Sequence, residues 1–426
     1  MTIHELISLA GTFILVAIGY ALCANKARIR WKTIAWGCAL QFIFAVLVLK
    51  TPPGQWFFSL MNDVITRLLS FQEEGGKFVF NALAIPPGAE GSMGFFFAFQ
   101  VLTTIIFFSS LMSVLYYLGV MQWIVLFFAK IMHRFMGTSG AETLSASANI
   151  FVGQTEAPLL IKPYVTEMTE SELMCVMVGG MATVAGGVMA AYVGMLKQYF
   201  PDIAGHLLAA SVMSAPAALV MAKIMIPETG HPKTMGTVKL EYKDPSINVI
   251  EAAANGAATG LQLALNVGTM LIAFMSLLAL ANFMISSALG HLGFAGMTLE
   301  KLLGYVFMPL AWIMGTPWKD CMIVGQFMGE KTVLNEFVAY LHMAQYAAAH
   351  PGELSHRAYV ISTYALCGFS NFLSIGIQIG GIGALGKDDA ERQRLRQSLA
   401  RLGIKALIGG SLASFMTATI AGILVP

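Results

Sequence analysis

Charge is what this sequence has least of. Only 11% of its 426 residues are Asp, Glu, Lys or Arg, while 57% are hydrophobic, and the mean hydropathy is +0.71. Soluble domains need a charged surface, so this composition argues for a polytopic membrane protein. A net charge of +2 supplies no strongly basic face, and no nucleic-acid polymer is expected as a partner. Cysteine is scarce too: Cys23, Cys38, Cys175, Cys321 and Cys367 are odd in number, lie in apolar runs without metal-ligand spacing, and read as buried thiols. The eight histidines include no His-Glu-x-x-His or comparable metal pattern. Residues 6–25 are uncharged, and no small-residue cleavage site precedes the basic Lys26 to Lys32 cluster, so they read as a first spanning helix and not as a cleaved signal.

Charge-free runs at 6–25, 33–49, 91–129, 173–196, 203–222, 252–299, 358–386 and 406–426 are each long enough for a hydrocarbon core of about 30 Å. They predict eight spans. The run at 91–129 is too long for one crossing, so its span ends near Tyr117, and Met121 to Met136 lies along the interface as an amphipathic helix. Gln55 to Leu83 reads the same way. The basic clusters Lys26/Arg28/Arg30/Lys32, Lys223 to Lys243 and Lys387 to Lys405 follow spans 1, 5 and 7; the positive-inside rule makes these loops cytoplasmic and leaves both termini outside.

Two stretches are apolar enough to enter the membrane but too interrupted to cross it: Ser139 to Met168 and Thr316 to Met343. Ser139 to Ile150 amounts to 12 residues, about 18 Å of helix, little more than half the core. Ser139 with Glu142 forms a capping box, and Pro158 fits the first turn of a returning half-helix. Between them, Asn149 to Leu160 concentrates amides, a hydroxyl, a carboxylate, a glycine and a proline, which is costly in lipid and marks a functional site. The second stretch has Thr316 as a cap, Pro317 after it, and a polar tip at Asn335-Glu336. The halves repeat: Met136-Gly137-Thr138 is echoed by Met314-Gly315-Thr316, Gln154-Thr155-Glu156 by Leu334-Asn335-Glu336, and Ser171 opening span 4 by Ser355 opening span 7. Each hairpin precedes a span broken at its middle, at Thr183 to Gly187 and at Gly368 to Asn371. Opposed re-entrant hairpins with paired interrupted helices are the signature of a secondary transporter with a midplane site.

Gly329-Glu330-Lys331-Thr332-Val333-Leu334-Asn335-Glu336-Phe337-Val338-Ala339-Tyr340 fits the signature of the concentrative nucleoside transporters. Gly153-Gln154-Thr155-Glu156 resembles that family's first hairpin tip, and Ser370-Asn371-Phe372-Leu373-Ser374 its seventh helix; the resemblance covers essentially the whole chain. It implies an all-α membrane protein of eight transmembrane helices and two opposed hairpins, assembled as a homotrimer in a bacterial cytoplasmic membrane. A sodium-coupled symporter of nucleosides such as uridine, working by an elevator-type mechanism, is the implied function. The implied division is a scaffold at 1–120 with interfacial helices at 121–138 and 298–315, a scaffold helix at 246–297, and transport repeats at 139–226 and 316–426. Gln154, Thr155, Glu156 and Val188 are then expected to face the nucleobase, and Glu336, Asn371 and Ser374 the ribose, with Phe369 as a wall. The implied sodium ligands are the Asn149 side chain, the Val152 and Val184 carbonyls and the Thr183 hydroxyl. Proton-coupled relatives carry Ser in place of Asn149, so a proton-coupled symporter is the alternative.

Other readings of the same residues stay open. Glu142, Asp320 and Glu330 read as capped helix ends at the interface. Asn149 and Thr183 could simply bond helices together. Gly137-Thr138-Ser139-Gly140 spells the Gly-x-Ser-Gly found around the nucleophile of intramembrane serine proteases, with His206 or His291 as a base, although a helix cap also explains Ser139. A channel would favour a symmetric filter ring over inverted hairpins within one chain.

Overall fold

The computed structural model describes all residues except 1, 88, 238–239, 241–243, 291–295 and 426. His291, Lys239 and Lys243 therefore lie outside the described residues. Among those described there is no strand. The helices are α1 (Ile3–Ala21), α2 (Trp31–Lys50), α3 (Pro52–Phe80), α4 (Phe97–Gln100), α5 (Leu102–Tyr117), α6 (Val120–Met136), α7 (Gly140–Ala148), α8 (Glu170–Ala182) and α9 (Gly186–Leu196). They continue as α10 (Ile203–Met225), α11 (Val249–Gly290), α12 (Leu299–Ile313), α13 (Cys321–Val333), α14 (Glu336–Ala349), α15 (His356–Leu366), α16 (Phe372–Gly383) and α17 (Asp389–Leu424).

Seven segments among the described residues are long and apolar enough to cross a membrane: Ile3–Ala21, Trp31–Lys50, Phe97–Tyr117, Glu170–Leu196, Ile203–Met225, Val249–Ala288 and Asp389–Leu424. The expected span at 358–386 is divided into α15 and α16, neither of which reaches that length alone. In α6 the apolar spacing works as read: Met121, Val125, Ala129, Met132 and Met136 are buried on one face, while Trp123 and Phe127 are exposed on the other. Gly137 closes α6 at φ +65°, a conformation that favours glycine, and lets the chain turn directly into α7.

Helix α10 is buried on nearly every face and forms the centre of the packing, with α2, α3, α8, α15 and α17 around it. Helix α1 lies along α17, whereas α5 pairs with α11 over much of its length and α12 lies on α13. Helices α1 and α2 pack on the helices at 203–225 and 389–424, α2 also on α3, and α5 on α11 and α3.

At the base of the first hairpin, Ser139 caps α7 with Glu142 in a reciprocal capping box. The segment after α10 docks on this helix start, Thr234 accepting from Gly140 N with its carbonyl and from Ala141 N with its hydroxyl, both at 3.0 Å. Buried Lys223 ties the corner together, with Nζ 2.7 Å from Glu142, 3.3 Å from Glu228 and 2.9 Å from Ser171 Oγ. Nearby, Lys233 pairs with Glu167 at 2.8 Å, and its hydrogen bond and charge lower the Glu167 pKa.

Several local expectations differ from the structure. Helix α7 has nine residues, not 12, because the chain turns at Asn149. The returning leg is two 3-10 pieces, Ala157–Ile161 and Val165–Glu167, with Pro158 in the first turn, so it is not a regular α half-helix. Thr316 caps nothing: its buried hydroxyl has no partner, and α13 begins after a 3-10 turn at Trp318–Asp320. Thr169 rather than Ser171 caps α8, through a capping box with Glu172, while Ser171 donates to the Ile226 carbonyl. Glu330 is not a helix end but a buried residue inside α13, paired with His342 of α14 at 2.9 Å. Asp320 does serve a helix end, accepting from Ser355, the cap of α15. Cys23 and Cys38 are only part-buried; the other three thiols are buried.

Candidate functional site

The tips of the hairpins and the breaks of the divided helices meet. Thr183, Val184 and Ala185 separate α8 from α9, and Cys367 to Asn371 separate α15 from α16. The breaks are stitched to each other and to the first tip, since Phe369 N donates to the Thr183 carbonyl at 3.2 Å and Gly186 N to the Phe151 carbonyl at 2.9 Å. Backbone groups that leave a helix while buried in protein need such partners.

Around this junction lies a cavity of about 330 Å³, within the range of small-molecule sites. Its lining includes Gln154, Thr155, Glu156, Val188, Glu336, Phe369, Asn371 and Ser374. Asn335 caps α14, so Glu336 stands in its first turn, and Asn371 caps α16 by accepting from Ser374 N at 2.9 Å. That cap fixes the Asn371 amide: its oxygen is used, so its nitrogen donates to Glu336 Oε2 at 2.9 Å. Tyr192 donates to the other carboxylate oxygen at 3.1 Å. Glu336, held from two sides, turns its remaining lone pairs to the cavity, where they suit hydroxyl donors. Elsewhere in the lining, Gln154 Nε2 is 3.0 Å from Ser374 Oγ, and Glu156 accepts from Gly153 N within its own tip.

Asn149 ends α7 fully buried. Its Nδ2 donates to the Ser145 carbonyl at 3.0 Å, while its Oδ1 is buried with no partner. Thr183 is equally buried, its hydroxyl donating to the Gly179 carbonyl at 2.9 Å and keeping its lone pairs. Val152 and Val184 both lie in non-helical backbone at this junction. An orphaned amide oxygen, a hydroxyl and carbonyls freed from helices form an all-oxygen donor set that fits a hard monovalent cation.

Sequence reasoning did not find Leu263, Asn266, Val267, Met270 and Leu271 of α11, or Phe337, Leu373 and Ile377, which also line the cavity. Asn266, an amide one turn after Gln262 in an otherwise apolar run, was the available signal. A second cavity of about 280 Å³ shares Glu156, Ala185 and Leu263 with the first and extends between α5 and α11 past Ser109, Ser113, Thr259 and Asn255 to Asp244. Ser139 is a helix cap that donates to Glu172. His206, for its part, contacts Tyr364, Phe58 and Phe200.

Residues 206–422 match the family model described as Na+ dependent nucleoside transporter C-terminus, residues 10–83 the corresponding N-terminus, and residues 98–199 a model described as nucleoside recognition. The chain is 44% identical over 420 residues to an uncharacterized transporter of Haemophilus influenzae, covering 98% of this chain and 97% of that protein. It is 42% identical over 434 residues to sodium/nucleoside cotransporter 1 of Rattus norvegicus, covering 99% of this chain and 64% of the rat protein. The solved structure of CNTnw in an inward-facing substrate-bound state matches with a TM-score of 0.89 and 40% identity, covering 99% of this chain and 98% of that one. These relatives are transporters and not enzymes. The chain belongs to the Na+-dependent nucleoside transporter family.

Proposed function

We propose that this protein is a sodium-coupled symporter that brings nucleosides such as uridine across a bacterial cytoplasmic membrane. The observation that carries the reading is the cavity at the junction of both hairpin tips and both helix breaks, lined by an acceptor-only carboxylate and by a bonded amide and hydroxyl pair. Glu336 and Asn371 take the ribose hydroxyls, with Ser374 beside them; Gln154, Thr155 and Glu156 face the base edge, Val188 packs on its flat surface, and Phe369 closes the pocket. The sodium ion travels as co-substrate, held by the Asn149 oxygen, the Thr183 hydroxyl and the Val152 and Val184 carbonyls. It sits where it braces the first tip against the α8–α9 break, so ion binding and substrate binding favour the same local geometry.

Movement follows an elevator scheme. In our division the moving body holds both hairpins, α8–α10 and α15–α17, and it takes α1 and α2 along because they pack on α17 and α10. Helices α5 and α11 form the fixed wall, which presents Leu263 to Leu271 to the substrate. The second cavity, running to Asp244 beside the basic loop assigned to the cytoplasm, is the release path of an inward-facing state. Eight spans, α15 and α16 forming the seventh, leave both termini outside, and the exposed apolar faces of α11 and α12 serve lipid and a homotrimer interface.

The test is uptake of radiolabelled uridine into proteoliposomes containing the purified protein, under an inward sodium gradient and, separately, an inward proton gradient. Accumulation driven by sodium supports the reading. Proton drive alone keeps the nucleoside and overturns the role of Asn149, and uptake that continues without any gradient to drive accumulation argues for a channel.

A further inference from the structure

Gln154 and Ser374 line the cavity, but the group that orients them stands behind it. Gln378, fully buried on α16 one turn beyond Ser374, places Nε2 3.0 Å from the Met177 carbonyl of α8 and 3.0 Å from Gln154 Oε1. A backbone carbonyl only accepts, so the nitrogen end of Gln378 must face Met177; the reverse orientation would set two buried acceptors against each other. The second hydrogen of the same amino group goes to Gln154, which must therefore present its oxygen there. Gln154 is left with its own amino group for Ser374, at 3.0 Å. Ser374 Oγ is thus an acceptor on that side, and among the described residues no protein acceptor takes its one hydrogen. Space for this relay depends on Gly180 of α8: a Cβ there would lie 2.7 Å from Gln154 Cβ and 2.8 Å from Gln378 Nε2.

We propose that Gln378 is a positioning residue for substrate selection: anchored on the Met177 carbonyl, it fixes the direction of the Gln154 amide and thereby makes Ser374 an obligatory hydrogen-bond donor to the substrate. The inference rests on the reading of the cavity as the nucleoside site. The sugar then meets groups of opposite hydrogen-bonding polarity at Glu336 and at Ser374. Glu336 offers only acceptors, and Ser374 offers a hydrogen, so the site selects nucleosides that place a hydroxyl donor at the first and an oxygen lone pair at the second.

Gln378→Glu tests the relay at constant size. The Met177 carbonyl requires a donor, so the new side chain is held protonated with its O–H on Met177, and its oxygen then presents an acceptor to Gln154, whose amide must turn over. Its oxygen then faces Ser374, which spends its hydrogen on Gln154 and becomes an acceptor towards the substrate. The measurement is KM and kcat for uridine and for 2′-, 3′- and 5′-deoxyuridine in proteoliposomes, for the wild type, Gln378→Glu, Ser374→Ala and the double variant. Losing one hydrogen bond raises the uridine KM about tenfold in Ser374→Ala, with little change for the one deoxyuridine that lacks the oxygen facing Ser374. Gln378→Glu is expected to reproduce that substrate pattern without lowering kcat, and the double variant to add nothing. The proposal is overturned if Gln378→Glu keeps the wild-type pattern, if it raises KM for all four substrates alike, or if its effect multiplies with that of Ser374→Ala. Should Gln378→Glu not fold, Gln378→Met, which frees Gln154 to turn either way, must show the same pattern in weaker form; a wild-type pattern there is equally fatal. A wild type that transports none of the four sinks the nucleoside reading and the relay with it, whereas the relay fails alone when the wild type transports and the variant patterns do not shift.

Discussion

Replacing Glu336 by Gln isolates the contribution of one carboxylate to ribose recognition. The structure dictates how the new amide must sit. Asn371 cannot turn its nitrogen away, because its oxygen caps α16, so the Gln oxygen must face Asn371 and the Gln nitrogen must face Tyr192. Tyr192 can adapt by rotating its hydroxyl to accept, so the protein's own network survives. What is lost is the charged acceptor offered to the cavity, on one side replaced by a donor. Hydrogen bonds to a charged group contribute about 1.5–3 kcal/mol, against about half that for neutral pairs. Losing one such bond to the sugar corresponds to a rise of about ten- to a hundredfold in the KM for uridine. The assay is initial-rate uptake of uridine and of 2′- and 3′-deoxyuridine in proteoliposomes under a fixed sodium gradient. The variant should treat uridine and the deoxyuridine lacking the contacted hydroxyl almost alike. Wild-type KM together with wild-type discrimination would refute the placement of ribose against Glu336, because no rearrangement of a single amide restores two charged lone pairs.

Three further outcomes follow from other parts of the molecule. Asn149→Ser shortens the side chain that carries the orphaned oxygen, so the sodium concentration for half-maximal uptake should rise while uridine KM at saturating sodium stays near wild type; an unchanged sodium titration removes Asn149 from the ion site. Lys223→Met strands Glu142 and Glu228 in a buried corner and should cost about 3–5 kcal/mol in denaturant titrations of the detergent-solubilised protein, much of it recovered when both carboxylates are also changed to Gln; a triple variant no better than the single would show the charges to be irrelevant. Ser139→Ala removes the cap of α7 and should cost about 0.5–2 kcal/mol of stability while transport continues, and a folded variant that binds but has lost all activity would reopen the enzymatic reading.

The parts of the site legible in the sequence are those where polarity conflicts with an apolar setting. Gln154-Thr155-Glu156 and Asn335-Glu336 stand out because polar groups at membrane depth are costly, and Ser139 with Glu142 because a capping box is a local pattern of three residues' spacing. The breaks at Thr183 and Gly368 were visible for the same reason. Long-range pairings were not. Nothing in the spacing of Tyr192 or Gln378 says which loop or helix 144 or 224 residues away each will meet, since both look like single polar residues on apolar helices. Glu330 was misread on the same ground: its partner, His342, sits across the second hairpin tip, and only the fold brings the pair together. The 3-10 return at Ala157–Ile161 escaped because Pro158 is compatible with the first turn of either helix type.

The same physics that made the tips legible explains why the packing of α1 and α2 was not. Hydrophobic periodicity reports how much of a helix is covered, but lipid and protein cover an apolar face equally well, so a spanning helix carries little record of its neighbours. Small residues carry more. Gly11 of α1 meets the Ile313 backbone at the end of α12, Gly19 lies beside Met221 of α10, and Gly37 of α2 faces Val220 and Met136. These contacts bring the first two helices onto α10, α12 and the end of α6, Gly11 directly against backbone and the other two mainly against side chains. Gly256 and Gly260 of α11 likewise receive Ser109, Ser110 and Ile106 of α5, a seam that reaches the α8–α9 break, where Gly187 lies beside Ser109. In the elevator scheme proposed above, the boundary between moving and fixed parts runs along the cavity wall from Leu263 to Leu271. That wall is apolar apart from Asn266, whose side-chain oxygen accepts from Gln262 on the same helix, so the wall can shift against the facing body without stranding that hydrogen bond.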